Sequence, residues 1–159
     1  NDKYLLTDKR FKIMKKILLI LVAVFSVGIF AAVADNDKLI NKSQLPKPAQ
    51  EFIDAHFAGV DLLYAKEDCN ILFNSYEVRL ANGVKVEFSS KGNWEEVDGG
   101  QSAVPAAIVP QPIKDYIEKN YAGERILVIE KNRNDYEVKL SNRLELKFDK
   151  NFNIYDIDD

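Results

Sequence analysis

Tyr76-Glu77-Val78-Arg79-Leu80-Ala81-Asn82-Gly83-Val84-Lys85-Val86-Glu87-Phe88 reads as two strands and the turn that joins them, and this stretch decides the fold. Apolar and charged side chains alternate on both sides of Ala81-Asn82-Gly83, the period-two pattern of a half-buried strand. The Asn-Gly pair invites a two-residue turn, but parity forbids it. Such a turn would set Leu80 against Lys85, whereas opposed residues share a face. A three-residue loop sets Leu80 against Val84 and Val78 against Val86, and Gly83 then takes the left-handed position of a bulged hairpin. Tyr136-Glu137-Val138-Lys139-Leu140-Ser141-Asn142-Arg143-Leu144-Glu145-Leu146-Lys147-Phe148 repeats the pattern, with Arg143 as a less comfortable left-handed residue.

The correspondence extends outward. Leu45-Pro46-Lys47-Pro48 matches Val109-Pro110-Gln111-Pro112, and Phe57-Ala58-Gly59 matches Tyr121-Ala122-Gly123. Proline suits the first turn of a helix, where its missing N–H is no loss. Ala49, Phe52, Ile53, His56 and Phe57 fall on one helical face, as do Ile113, Tyr116, Ile117, Asn120 and Tyr121. Gly59 and Gly123 stand where left-handed C-terminal caps belong. Pro105–Val109 suggests a helical turn of its own. A strand is expected before each hairpin, near Leu62–Ala65 and Ile126–Ile129, and one after it, near Trp94–Val97 and Ile154–Ile157. The expected fold is α+β, a tandem repeat of a helix plus a four-stranded antiparallel sheet. The first unit spans residues 35–98 and the second 103–159, with Asp98–Ser102 as linker. A repeat at fixed spacing means one supersecondary unit used twice. Each unit is small enough to be marginal alone, so one cooperative body is expected.

Residues 1–34 read as an upstream extension and a signal peptide. Met14 is followed by Lys15-Lys16, an apolar run, and Ala32-Val33-Ala34 as a small-residue cleavage site, with cleavage expected after Ala34. The rival reading is an uncleaved anchor, for which the run is at the short limit. The leader holds six of the 22 basic residues and two of the 25 acidic ones, leaving 16 and 23, a formal charge of −7. That balance argues against nucleic acid and anionic lipid as partners. Cys69 is the only cysteine, so an exported form has no internal disulfide. It has no basic neighbour to activate it.

No catalytic constellation emerges. His56, the only histidine, sits on the apolar stripe of the first helix with Asn120 as its counterpart. It reads as structural, since a zinc site needs several N or S ligands. Asp149-Lys150-Asn151-Phe152-Asn153 lacks the glycine and terminal glutamate of a calcium loop and reads as a turn. No catalytic residue, metal ligand or cofactor is assigned.

The Pro-x-Pro-x₃-[Phe/Tyr]-Ile-x₃-[Phe/Tyr]-Ala-Gly helices, the Tyr-Glu-Val-x-Leu strands and the strands running into Phe88–Trp94 and Phe148–Asn153 resemble the PepSY-like exported proteins of Bacteroidetes. The resemblance covers Leu45–Asp158. It implies a fold similar to beta-lactamase inhibitory protein, a periplasmic or secreted location, and no established activity. The beta-lactamase inhibitors of that fold carry disulfides in each half; with one cysteine this chain departs from them, and beta-lactamase inhibition does not carry over.

With helices on one face of the sheet, the charged face stays open. Glu77, Arg79, Lys85, Glu87, Glu137, Lys139, Glu145 and Lys147 are assigned to it, with Trp94 and Tyr155 as aromatic anchors of the kind enriched at interfaces. The expected function is a non-enzymatic protein-binding module of the envelope, inhibiting a protease or another envelope enzyme. Its partner is an unknown envelope protein, and after leader removal it is a monomer or weak dimer off the membrane. Two alternatives stand beside it. One is a small-ligand or metal-ion carrier using the cleft between repeats, the other a small hydrolase dependent on His56.

Overall fold

The computed structural model describes residues 37–69 and 74–159. The leader expected at Met14–Ala34, with its cleavage point, lies outside the described residues. Among the described residues, no helix is long and apolar enough to cross a membrane.

Among the described residues nine strands form one antiparallel sheet in chain order: β1 (Lys38–Ile40), β2 (Leu62–Cys69), β3 (Asn74–Leu80), β4 (Lys85–Phe88), β5 (Trp94–Asp98), β6 (Ile126–Lys131), β7 (Asp135–Leu140), β8 (Glu145–Asp149) and β9 (Ile154–Asp158). Two helices, α1 (Lys47–His56) and α2 (Gln111–Asn120), cover one face. Each helix begins beside a proline pair and ends in an aromatic residue, Phe57 or Tyr121, whose N–H still bonds back to Ile53 or Ile117. Two residues on, Gly59 and Gly123 take φ of +79° and +91°, which reverses the chain toward the sheet.

The hairpin has the three-residue loop that parity demands. Val78 opposes Val86, and Leu80 N–H donates to Val84 C=O at 2.9 Å. Asn82 Oδ1 accepts from Val84 N–H at 3.2 Å, so the loop closes on its own side chain. Gly83 has φ +88° and Arg143 has φ +78°.

The core lies between the helices and one sheet face. Val78, Leu80, Val86, Phe88, Val97, Ile129, Val138, Leu140, Leu146 and Phe148 are essentially fully buried there, beneath Ala49, Ile53, Ile113 and Ile117. Phe52 meets Phe88 edge-on at 5.7 Å between centroids, and Tyr116 meets Phe148 edge-on at 5.4 Å. β5 pairs with β6 through Val97 and Ile129, so the sheet and the core beneath it run on across the middle of the chain.

Two features differ from expectation. The edge strand β1 leaves no mark in the sequence, because its three residues are too few to show alternation. Trp94 does not lie on the open face. It stacks on Phe52 of α1 at 6.0 Å and belongs to the helix side. The reason is a one-residue bulge: Glu87 opposes Glu96, but Phe88 opposes Trp94, so Glu95 is extra. Trp94 and Val97 thereby share the core face although they are three residues apart. β9 repeats the device, with Tyr155 as the extra residue between Ile154 and Asp156. Tyr155 thus corresponds to Glu95, not to Trp94.

Candidate protein-binding face

The open face is built by alternation. Every residue between two core positions on a strand turns away from the helices, and nine strands in register arrange those residues in rows across the sheet. One row runs Lys66, Glu77, Glu87, Glu96, Glu130, Glu137, Lys147, Asp156, each residue opposite the next. Five glutamates therefore stand side by side on β3 to β7, across about 19 Å at the usual strand spacing. The neighbouring row runs Tyr64, Arg79, Lys85, Asp98, Val128, Lys139, Glu145, Asp158. All the charged residues assigned to this face from the sequence lie in these two rows. Glu96, Asp98 and Glu130 join them, because they lie on the two strands where the halves meet.

The cations are distributed unevenly. Lys66 Nζ lies 2.6 Å from Asp37 Oδ2 and 3.3 Å from Glu77 Oε2, and Tyr64 OH donates to Glu77 Oε1 at 2.7 Å. Lys85 Nζ bridges Glu87 at 2.7 Å and Glu96 at 2.8 Å. Lys147 Nζ is drawn to β9, 3.1 Å from Asp156 and 2.7 Å from Asp158. Lys139 pairs with Glu145. Glu130 and Glu137 are left adjacent on β6 and β7 with no ion pair among the described residues. The bulge residue Glu95 adds to this acidic centre. Burial, then the charges of Glu87 and Glu130, raises its carboxyl above the ordinary range. Burial, then Glu145 and Glu130, does the same for Glu137. Tyr155 flanks the region, 59% exposed.

The other candidates have structural surroundings. His56 packs against the Phe52 ring at 4.6 Å between centroids. Cys69 ends β2, half-buried. Asp149 is a turn residue, as its sequence suggests. Its Oδ1 accepts from the N–H groups of Asn151 at 2.8 Å and Asn153 at 2.9 Å, and Asn153 Nδ2 donates to its Oδ2 at 3.1 Å. Among the described residues, no three His, Cys, Asp or Glu side chains are grouped so as to hold a metal ion. A cavity of about 370 Å³ opens beside α2, but all its lining residues, Ala103 to Ile126, belong to the second half.

Comparison with known proteins agrees with this architecture. Residues 74–156 match the family described as "putative beta-lactamase-inhibitor-like, PepSY-like". A solved structure from Bacteroides thetaiotaomicron, described as a "putative calcium-regulated periplasmic protein", is 52% identical with a TM-score of 0.77, covering 79% of this chain and 99% of that one. Two from Bacteroides vulgatus, each described as a "putative periplasmic protein", are 48% and 36% identical, with TM-scores of 0.76 and 0.74. They cover 79% and 78% of this chain and 99% and 100% of their own. No curated protein matches the chain.

Proposed function

The chain belongs to the PepSY-like family, and from that premise we propose that it is an exported, non-enzymatic protein-binding module of the cell envelope that binds through the open face of its sheet. We read residues 35–98 and 103–159 as one helix-plus-four-strand unit used twice, in the manner of beta-lactamase inhibitory protein. Its periplasmic relatives and the Met14–Ala34 leader pattern support export.

One observation carries the binding role. Glu130 and Glu137 stand directly opposite each other and next to Glu96, neither in an ion pair among the described residues, with Lys147 opposite Glu137 on its far side and drawn to β9 instead. Like charges directly opposed on neighbouring strands destabilise a sheet. A face serving only as a wet surface gains nothing from that arrangement, whereas a partner that brings lysine or arginine to the row relieves it. The partner class is therefore a protein with a basic strip, and an envelope enzyme held by such a strip would be inhibited. The test is capture from envelope extract by the wild-type protein and by a Glu96→Lys, Glu130→Lys variant of unchanged fold. A protein retained by the first and lost by the second supports the reading. Equal retention, or none, removes the face from consideration.

A second reading comes from the relative described as calcium-regulated. Among the described residues the carboxylates do not fit a calcium cage. They lie in a row along the sheet rather than converging, whereas calcium takes six to eight oxygens, and Asp149 is occupied by its own turn. Calcium regulation is therefore not carried over.

A further inference from the structure

The outer edge of β9 differs from that of its counterpart β5: among the described residues no strand pairs with it. The hydrogen-bond pattern fixes which backbone groups it presents. Leu140 N–H donates to Leu144 C=O at 2.9 Å, so these two residues form a bonded pair. Bonded and non-bonded pairs alternate along an antiparallel ladder. Val138 and Leu146 therefore bond to each other, and Ile157, opposite Leu146, turns its N–H and C=O away from β8. The same reasoning turns Val97 toward β6, where it meets Ile129, and Gly99 N–H continues the pattern by donating to Leu127 C=O at 2.8 Å.

Ile157 and Val97 thus hold equivalent places, each opposite a core residue of the preceding strand. Val97 is 0% exposed and Ile157 is 48% exposed. The missing element is a strand. Among the described residues β9 pairs only with β8, and the outward N–H of Ile157 is held by its neighbour's carboxylate, Asp156 Oδ1, at 3.1 Å.

We propose that β9 accepts, antiparallel, an extended segment of a partner protein that sets a branched aliphatic residue opposite Ile157 and lysine or arginine opposite Asp156 and Asp158. The geometry is the one β6 uses on β5 within this chain. Main-chain bonds supply affinity in such strand addition, and alternate side chains supply specificity. Charge selects the occupant. Asp156 and Asp158 lie at this edge with Lys147 as their only ion-pair partner among the described residues, and Asp159 follows them in sequence. A second copy paired through its own β9 about Ile157 would set Asp156 against Asp158 twice, which like-charge repulsion disfavours. This site is the sheet edge and does not depend on the open-face reading.

The probe is an eight-residue peptide alternating lysine and valine, titrated into the isotope-labelled protein and followed by NMR. Cross-strand contacts to Ile157 are expected. The same peptide N-methylated at its valine amides keeps the charge and loses the main-chain bonds, and should bind at least about tenfold more weakly. Ile157→Pro removes the outward N–H, which β8 does not use, and should weaken binding similarly; the methylated peptide stands as the test if that variant unfolds. Equal binding of methylated and parent peptides overturns the proposal, as do shifts confined to Glu130 and Glu137, or no binding at about 1 mM. A dimer in sedimentation that Ile157→Pro dissolves would make the occupant a second copy and also overturn it.

Discussion

Glu130→Gln is expected to make the protein more stable while weakening its hold on a partner. Glu130 faces Glu96 on one side and Glu137 on the other. A favourable cross-strand pair contributes roughly 0.2–1 kcal/mol, and a directly opposed like-charge pair is taken to cost a similar amount. Glutamine keeps the shape and relieves two such contacts, so the gain is about 1 kcal/mol, or about 4 °C in Tm for a chain of this size. Salt should erase it, since the screening length is about 3 Å at 1 M ionic strength. The pH dependence has a definite sign. Glu95 and Glu137 have carboxyl groups raised above their ordinary value of 4.5, in each case by burial first, and Glu130 is one of the charges that adds to the shift. A carboxyl raised in the folded state holds its proton longer than in the unfolded chain. Its cost is therefore absent below the ordinary value and complete above the raised one. The advantage of the variant should open as pH climbs through 4.5 and then level off. Urea unfolding followed by circular dichroism, at pH 4 and pH 7 and in low and high salt, measures all of this. A variant no more stable at pH 7 in low salt, or a gain that persists at 1 M salt, would refute the reasoning.

Gly92→Ala should cost about 2 kcal/mol, because at φ +80° its Cβ would lie 2.7 Å from Pro46 Cβ and 3.1 Å from the Ala49 nitrogen; the denaturant midpoint should fall with an unchanged slope. Arg143→Gly should add about 1 kcal/mol by relieving a left-handed residue, seen as a raised Tm. Phe148→Ala should cost about 3–5 kcal/mol and should lower the midpoint reported by the fluorescence of Trp94, the only tryptophan; an unmoved Trp94 signal would mean that the halves unfold independently. Calcium at about 1 mM should leave Tm unchanged, and a rise that grows with concentration, as mass action requires of a bound ion, would contradict the absence of a cage.

Local sequence carried the hairpins completely. The alternation around Ala81-Asn82-Gly83 admits one loop length, and the register follows from it. The helices were equally legible, because proline pairs, an apolar stripe and a cap glycine agree with one another. The bulges were not read, although a signal existed. Trp94 and Val97, like Ile154 and Ile157, are three residues apart, a spacing that belongs on one strand face only if a residue is extra. Reading strict period two instead put Trp94 on the wrong side. The five-glutamate row was out of reach for a different reason. It depends on the register of β5 against β6, and Gly99 to Arg125 separates those strands with no short turn to fix their alignment. The places of Glu96 and Glu130 are therefore not legible in the sequence, while those of Glu87 and Glu137, inside hairpins, are.

A sheet whose spatial order equals its chain order also says something about time. In β1 to β9 every strand docks on the one made just before it, so no strand must wait for a distant segment. Loop closure is then mostly local, the condition under which folding is fast. A chain delivered from its N-terminus, as through a translocation pore, can add strands as they emerge. There are two pauses, between β1 and β2 across α1 and between β5 and β6, where α2 must be complete before the next strand arrives. Up to the second pause the edge of β5 stands open, as that of β9 does among the described residues.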